Sequence, residues 1–171
     1  MAKYRYSYVR THDIDWFCKI GNRYCHFASN GGLIPAFAND SKRNKEIQNY
    51  VGSKLSVNIS QEDIVINHEY VNRRLKRYDY EWDKSLNIDI EKEYLRSFVE
   101  MAQKGFWSYD CDILTNIEEE PCDQIKYALI ARPRKSVPAF KKDGLFPRFH
   151  QNNIQDFKYL SFEISLKIKN Q

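Results

Sequence analysis

The stretch Asp15-Trp16-Phe17-Cys18-Lys19-Ile20-Gly21-Asn22-Arg23-Tyr24-Cys25-His26-Phe27-Ala28-Ser29 sets two aromatic, β-compatible runs on either side of Gly-Asn. A glycine first in a two-residue loop suits a type II′ turn, whose twist matches that of the strands it joins. The reading is a hairpin, Asp15 to Ile20 against Arg23 to Ser29, pairing Ile20 with Arg23, Lys19 with Tyr24, Cys18 with Cys25, Phe17 with His26 and Trp16 with Phe27. Side chains alternate between the two faces of a strand. One face therefore carries Trp16, Cys18, Ile20, Cys25 and Phe27 and reads as core, and the other carries Asp15, Phe17, Lys19, Tyr24 and His26 and is expected to be half exposed. Cys18 and Cys25 oppose each other and are expected to be close but reduced, two packed thiols, because their spacing is no C-x-x-C motif.

Outward from the hairpin, Lys3 to Val9 alternates Tyr4, Tyr6 and Tyr8 against Lys3, Arg5 and Ser7, the period expected of another strand. After Gly31-Gly32, Asp40 or Ser41 can cap a helix to about Leu55, with Ile47, Tyr50, Val51 and Leu55 at helical spacing. Asp63 to Asn67 fits a short strand or the start of a helix, and His68 to Trp82 is ambiguous between the same two states. The clearest helix runs from Asp89 to Lys104: Tyr94, Leu95, Phe98, Val99, Met101 and Ala102 form an apolar face, and Gly105 supplies the residue after the cap. Ile125 to Arg132 is a short apolar run that Pro133 ends, as expected of a central strand. Lys135 to Asp156, punctuated by Pro138, Gly144 and Pro147, reads as loop. Lys158 to Lys169 alternates Leu160, Phe162, Ile164, Leu166 and Ile168 against polar neighbours, the period of a final strand. Its apolar side and that of the Phe98 helix are expected to be covered by each other or by the strand around Leu129.

The whole is 171 residues, 42% hydrophobic and 29% charged, with only six glycines and five prolines. That composition excludes disordered, collagenous and low-complexity classes and suits one domain spanning residues 1–171. The expected fold is α+β, a mainly antiparallel sheet of about five strands covered by two or three helices on one face. No apolar run reaches the length of a membrane span, and Met-Ala-Lys-Tyr-Arg-Tyr lacks the apolar stretch of a secretory signal, so a cytoplasmic protein without membrane contact is expected. The four cysteines fit buried thiols in a reducing compartment better than a disulfide framework.

Formal charge is only +4, but it is unevenly placed. Gly105 to Gln124 contains no Lys or Arg and six acids, Asp110, Asp112, Glu118, Glu119, Glu120 and Asp123. An exposed acidic loop is expected there. It lacks the ligand spacing and central glycine of an EF-hand, so it suits a basic protein partner better than a metal. The four histidines are scattered, none at zinc-ligand spacing, and no cofactor motif is present.

Two basic groups contrast with the acidic segment. Arg73, Arg74, Lys76 and Arg77 precede Tyr78, Tyr80 and Trp82, and Arg132, Arg134 and Lys135 lie near Lys141, Lys142 and Arg148. Such residues neutralise phosphates and stack on unpaired bases. Ser29-Asn30-Gly31-Gly32, followed by Lys42, Arg43 and Lys45, has glycines that would allow a phosphate close to the backbone, without a nucleotide-loop motif. Asp13, His26, Ser29 and Gly31 hold the components of a nucleophile site, again without a supporting motif. Cys25 and His26 are adjacent on a strand and point apart, so they cannot exchange a proton.

The sequence therefore suggests a small non-catalytic binding or regulatory protein that engages nucleic acid or a ribonucleoprotein through a basic, aromatic-rich face. The first alternative is a protein-protein module, of inhibitor or immunity type, using the acidic loop at 105–124. An enzyme centred on His26 is the second.

Overall fold

The computed structural model describes residues 2–31, 34–53, 57–77, 89–112, 124–150 and 157–163. The hairpin forms as its residues predict. Strands β1 (Asp15–Ile20) and β2 (Arg23–Ala28) pair antiparallel with Cys18 opposite Cys25 and Trp16 opposite Phe27. Gly21 has φ +58° while Asn22 stays outside the left-handed region, the combination a type II′ turn needs.

Around the hairpin grows a seven-stranded sheet. It is mixed, in place of the five mainly antiparallel strands expected, because a distant strand joins each outer edge of the hairpin in parallel. On the β2 side lies β4 (Trp107–Cys111), and on the β1 side the short β6 (Arg148–Phe149). Beyond β4 the long β5 (Gln124–Pro133) runs antiparallel. Its far edge is shared end to end by β3 (Ile64–Ile66), opposite 131–133, and β7 (Tyr159–Glu163), opposite 124–128. Expectations for 54–56, 78–88, 113–123 and 164–171 lie outside the described residues.

Both faces of the sheet are covered. Trp16, Cys18, Ile20, Phe27, Tyr109, Tyr127, Leu129, Leu160 and Phe162 pack on one side under Val9, Ile14, Ile34 and Ala38. On the other side lie α2 (Ser41–Ser53), α3 (His68–Arg77) and α4 (Ile90–Gln103). Ile47, Tyr50 and Val51 of α2 cover Phe17 and Tyr24, and Leu95, Phe98 and Ala102 of α4 meet Ala28, Ala128, Ile130 and Ala131. Of the hairpin face expected to be half exposed, Phe17, Lys19, Tyr24 and His26 are therefore buried, and only Asp15 stays partly exposed.

Local signals explain most helix limits. Asp40 accepts the Arg43 amide at 3.1 Å and Asp89 the Lys92 amide at 3.0 Å, each satisfying a first-turn donor. Asn67 ends β3 and caps α3 through the Tyr70 amide, so the segment read as strand or helix start is both. Gly105, at φ +94°, turns the chain out of α4 with the Val137 methyl 3.1 Å from where a Cβ would stand. The N-terminal tyrosines depart from the strand reading. Residues Tyr6–Thr11 form a short helix, α1, along which Tyr8 stacks on the flanking Tyr4 and His12 at four-residue spacing, centroids 5.8 and 3.9 Å apart. Three alternate tyrosines fit a strand, and every second one also fits a helix face.

Phe98 is buried, but beneath α4, on the opposite side of the sheet from Phe162. The two apolar faces do not cover each other; the strand around Leu129, the other cover expected, lies between them, with Ala128, Ile130 and Ala131 toward Phe98 and Leu129 toward Phe162. Each has its own layer. Phe98→Ala should cost about 3 kcal/mol, the usual loss for a buried ring with a cavity left behind. Denaturant melting checks it, and a loss under about 1 kcal/mol would show that α4 is not seated as described.

One irregularity positions the site. Ser108 faces Ala131, yet Tyr109 faces Leu129, so Ile130 is an extra residue in β5. This bulge puts both Ile130 and Ala131 on the helix side. Alternation resumes one residue out of phase, and Arg132 therefore emerges on the side of Trp107. Among the described residues, no helix is long and apolar enough to cross a membrane.

Candidate functional site

At the hairpin-tip end of the sheet, a cleft of about 680 Å³ opens between the β1–β2 turn, the start of β4 and the segment leaving β5. Its walls include Lys19, Arg23, Trp107, Arg132, Arg134 and Lys135, and among the described residues no acidic side chain lines it. The Arg23 guanidinium lies over Trp107 at 4.9 Å and over Phe157 at 4.0 Å, and that of Arg132 lies over Trp107 at 5.1 Å. An aromatic ring orients a guanidinium and leaves its N–H edge for oxygen acceptors. Arg132 spends one donor on the Pro133 carbonyl at 3.1 Å. Among the described residues no carboxylate pairs with Arg23, Arg132, Arg134 or Lys135.

Lys19 is different. It is buried and paired with Asp143, which also accepts the Tyr24 hydroxyl and, at 2.8 Å, Arg148. The hydrogen bonds from Lys19 and Tyr24 hold the Asp143 carboxyl below its ordinary range, and burial followed by Asp143 pushes the Tyr24 hydroxyl up. Asp143 thus ties together two wall residues of the cleft, Lys19 and Tyr24, and its one carboxylate faces two cations, Lys19 and Arg148.

Of the sequence-predicted basic residues, the fold brings Arg132, Arg134 and Lys135 into this cleft. Arg73 and Lys76 are exposed on α3, where Arg73 donates to the Tyr159 hydroxyl at 2.8 Å. The side chain of Arg77, together with Tyr78 and Tyr80, lies outside the described residues. Sequence reasoning missed Arg23 and Trp107. The hairpin placed Arg23 at a turn, but the parallel pairing that sets Cys25 beside Trp107 leaves no local trace.

Arg74 and Asp110, assigned by sequence to two different surfaces, are buried against each other. Arg74 reaches the Asp110 carboxylate at 3.0 Å and the Cys111 carbonyl at 3.0 Å, and Tyr94 donates to Asp110 at 2.8 Å. Asp112 is also buried and accepts the Tyr70 hydroxyl at 2.8 Å. The expected acidic loop thus begins as strand β4, with Asp110 and Asp112 turned inward to these partners. A buried charge that a partner satisfies is structural and inaccessible to a docking protein. Glu118, Glu119 and Glu120 lie outside the described residues.

The enzyme reading meets a different arrangement from the one expected. His26 contacts Asp15 through Nε2 at 3.1 Å and Ser108 through Nδ1 at 2.8 Å, and not Ser29. Although burial works to raise the Asp15 carboxyl, the hydrogen bond from His26 holds it below its ordinary value. The acid-base-hydroxyl order resembles a nucleophile relay. Ser108 and His26 are, however, 0% and 1% exposed, so no substrate reaches the hydroxyl, and the chain ties three strands together. Ser29 instead accepts the Ile14 amide at 2.8 Å, and the Asn30 amide, a candidate phosphate donor, is taken by Asp13 at 2.6 Å. Among the described residues no group of three His, Cys, Asp or Glu side chains is gathered as a metal site.

Comparison with known proteins adds no relative: no family model matches the chain, and neither a curated protein nor a solved structure matches it.

Proposed function

We propose that the chain is a non-catalytic binding protein whose ligand is nucleic acid, free or within a ribonucleoprotein, held at the Arg23–Trp107–Arg132 cleft. One observation carries the reading: two guanidiniums lie over the same tryptophan in a basic cleft, with no carboxylate among the described residues to neutralise them. Exposed Arg134 and Lys135 extend the positive charge outward. Cations that displace condensed counterions from a phosphate backbone supply affinity, and planar guanidiniums supply directed contacts.

Fluorescence anisotropy with labelled oligonucleotides across a salt series tests this. Arg134→Gln with Lys135→Gln should weaken binding at every sequence and reduce the log-log salt slope by about two, one for each phosphate that is no longer neutralised. Arg73→Gln with Lys76→Gln, outside the cleft walls, should do less. Equal losses from the two pairs would indicate diffuse attraction to a positive molecule. Unchanged affinity in the cleft pair would overturn the site.

A further inference from the structure

We infer that the cleft takes single-stranded rather than duplex nucleic acid, with an unpaired base seated in a second pocket that adjoins it. The inference rests on the nucleic-acid reading and adds the form of the ligand. The second pocket, about 460 Å³, shares two wall residues with the cleft, Trp107 and Arg132. It lies where β3 and β7 leave a gap along the edge of β5, and its other walls include Val65, Leu129 and Phe157.

Two features favour a base, one in the lining and one in the backbone. Val65, Leu129, Trp107 and Phe157 give the pocket an apolar and aromatic side, which suits a flat ring with a π face, while Asn67, His68, Glu69 and Lys158 line the rest. The backbone polar groups at the gap are already used: the Leu129 amide donates to the Lys158 carbonyl at 2.8 Å and the Asn67 amide to the Ile130 carbonyl at 2.9 Å, so no sheet edge is open there for a peptide strand. The Asn67 side chain is likewise spent, donating to the Leu129 carbonyl and accepting the Tyr70 amide. The guanidinium of Arg132 stands on the shared wall, and Arg23 reaches it through Trp107 and Phe157. A strand whose phosphates meet Arg23 and Arg132 therefore has its base on the far side of the same wall. Duplex DNA keeps its bases stacked and paired, and could offer the phosphates only.

Anisotropy against three probes decides it: a short labelled oligothymidylate, its duplex with oligoadenylate, and the same strand carrying abasic sites in place of bases. The single strand should bind about 10-fold more tightly than the duplex or the abasic strand, the size expected when one base no longer stacks on the protein. Val65→Trp, which fills the pocket and leaves every cation in place, should bring oligothymidylate down to the abasic level without changing abasic binding. Should that variant melt early, Val65→Phe, a smaller filler at the same wall that also leaves every cation and its aromatic support in place, gives the same comparison. Equal affinity for all three probes with a steep salt slope would overturn the base pocket and leave the nucleic-acid reading standing. No salt-dependent binding of any probe would overturn both.

Discussion

Trp16→Ala should lower the free energy of unfolding by about 5 kcal/mol, the upper end for loss of a buried aromatic ring. Trp16 is fully buried on the face away from the long helices, stacked on Phe27 with centroids 3.9 Å apart and edge-on to Phe162 and Tyr127 at 5.3 and 5.6 Å. Its Nε1 also donates to the Tyr127 hydroxyl at 3.1 Å. Truncation removes the ring that β1, β2, β5 and β7 share and takes away that donor. Trp16→Phe keeps most of the stacking and should cost only about 1–2 kcal/mol. Urea unfolding followed by far-UV circular dichroism measures both. Against typical domain stabilities of about 5–15 kcal/mol, the alanine variant should lose a third or more of the total.

Arg74→Met should cost about 3–5 kcal/mol, because it strands a carboxylate in the interior. Asp110 is 2% exposed, and with Arg74 removed only the Tyr94 hydroxyl remains of the two side chains seen to hold it. Burial already pushes the Asp110 carboxyl up to about 6, despite the opposing pull of Arg74 and Tyr94. A carboxyl raised in the folded state binds more protons there than in the unfolded chain. Its contribution to stability is therefore fully present below the unfolded value of 3.8 and is lost as pH rises through about 6. Without the guanidinium the carboxyl moves higher still, so the deficit of Arg74→Met should be large at neutral pH and shrink on acidification. Arg74→Met with Asp110→Leu, which removes both charges, should recover much of the loss. A deficit that does not depend on pH would mean that Arg74 acts through packing alone.

The sequence exposes some of these features and hides others for identifiable reasons. The hairpin register was legible because Gly21-Asn22 fixes the turn and alternation fixes the faces; α4 was legible because Asp89, its apolar face and Gly105 all agree. β4 was hidden by its composition. Trp107, Tyr109 and Cys111 alternate with Ser108 and Asp110, a strand pattern, but the missing Lys and Arg suggested an exposed loop. Asp110 and Arg74 looked like surface charges because each one's partner is supplied by a distant element. In the cleft, Arg132, Arg134 and Lys135 could be singled out by type, whereas the bulge at Ile130 that turns Arg132 toward Trp107 depends on pairing with β4.

The parallel partners of the hairpin also determine how the chain must reach this structure. Cys25 sits beside Trp107 and Lys19 beside Arg148, so the hairpin's two outer edges wait for segments remote in sequence. A two-residue turn closes on the order of microseconds, while pairings across such separations must first overcome the entropy of closing long loops. Nucleation at the hairpin would then be fast and consolidation slow. Until β4 and the helices arrive, the Trp16–Phe27 stack on one side and Phe17 and Tyr24 on the other are uncovered, and both strand edges are unpaired. During synthesis, the easiest element to form is thus the one most in need of shelter from aggregation.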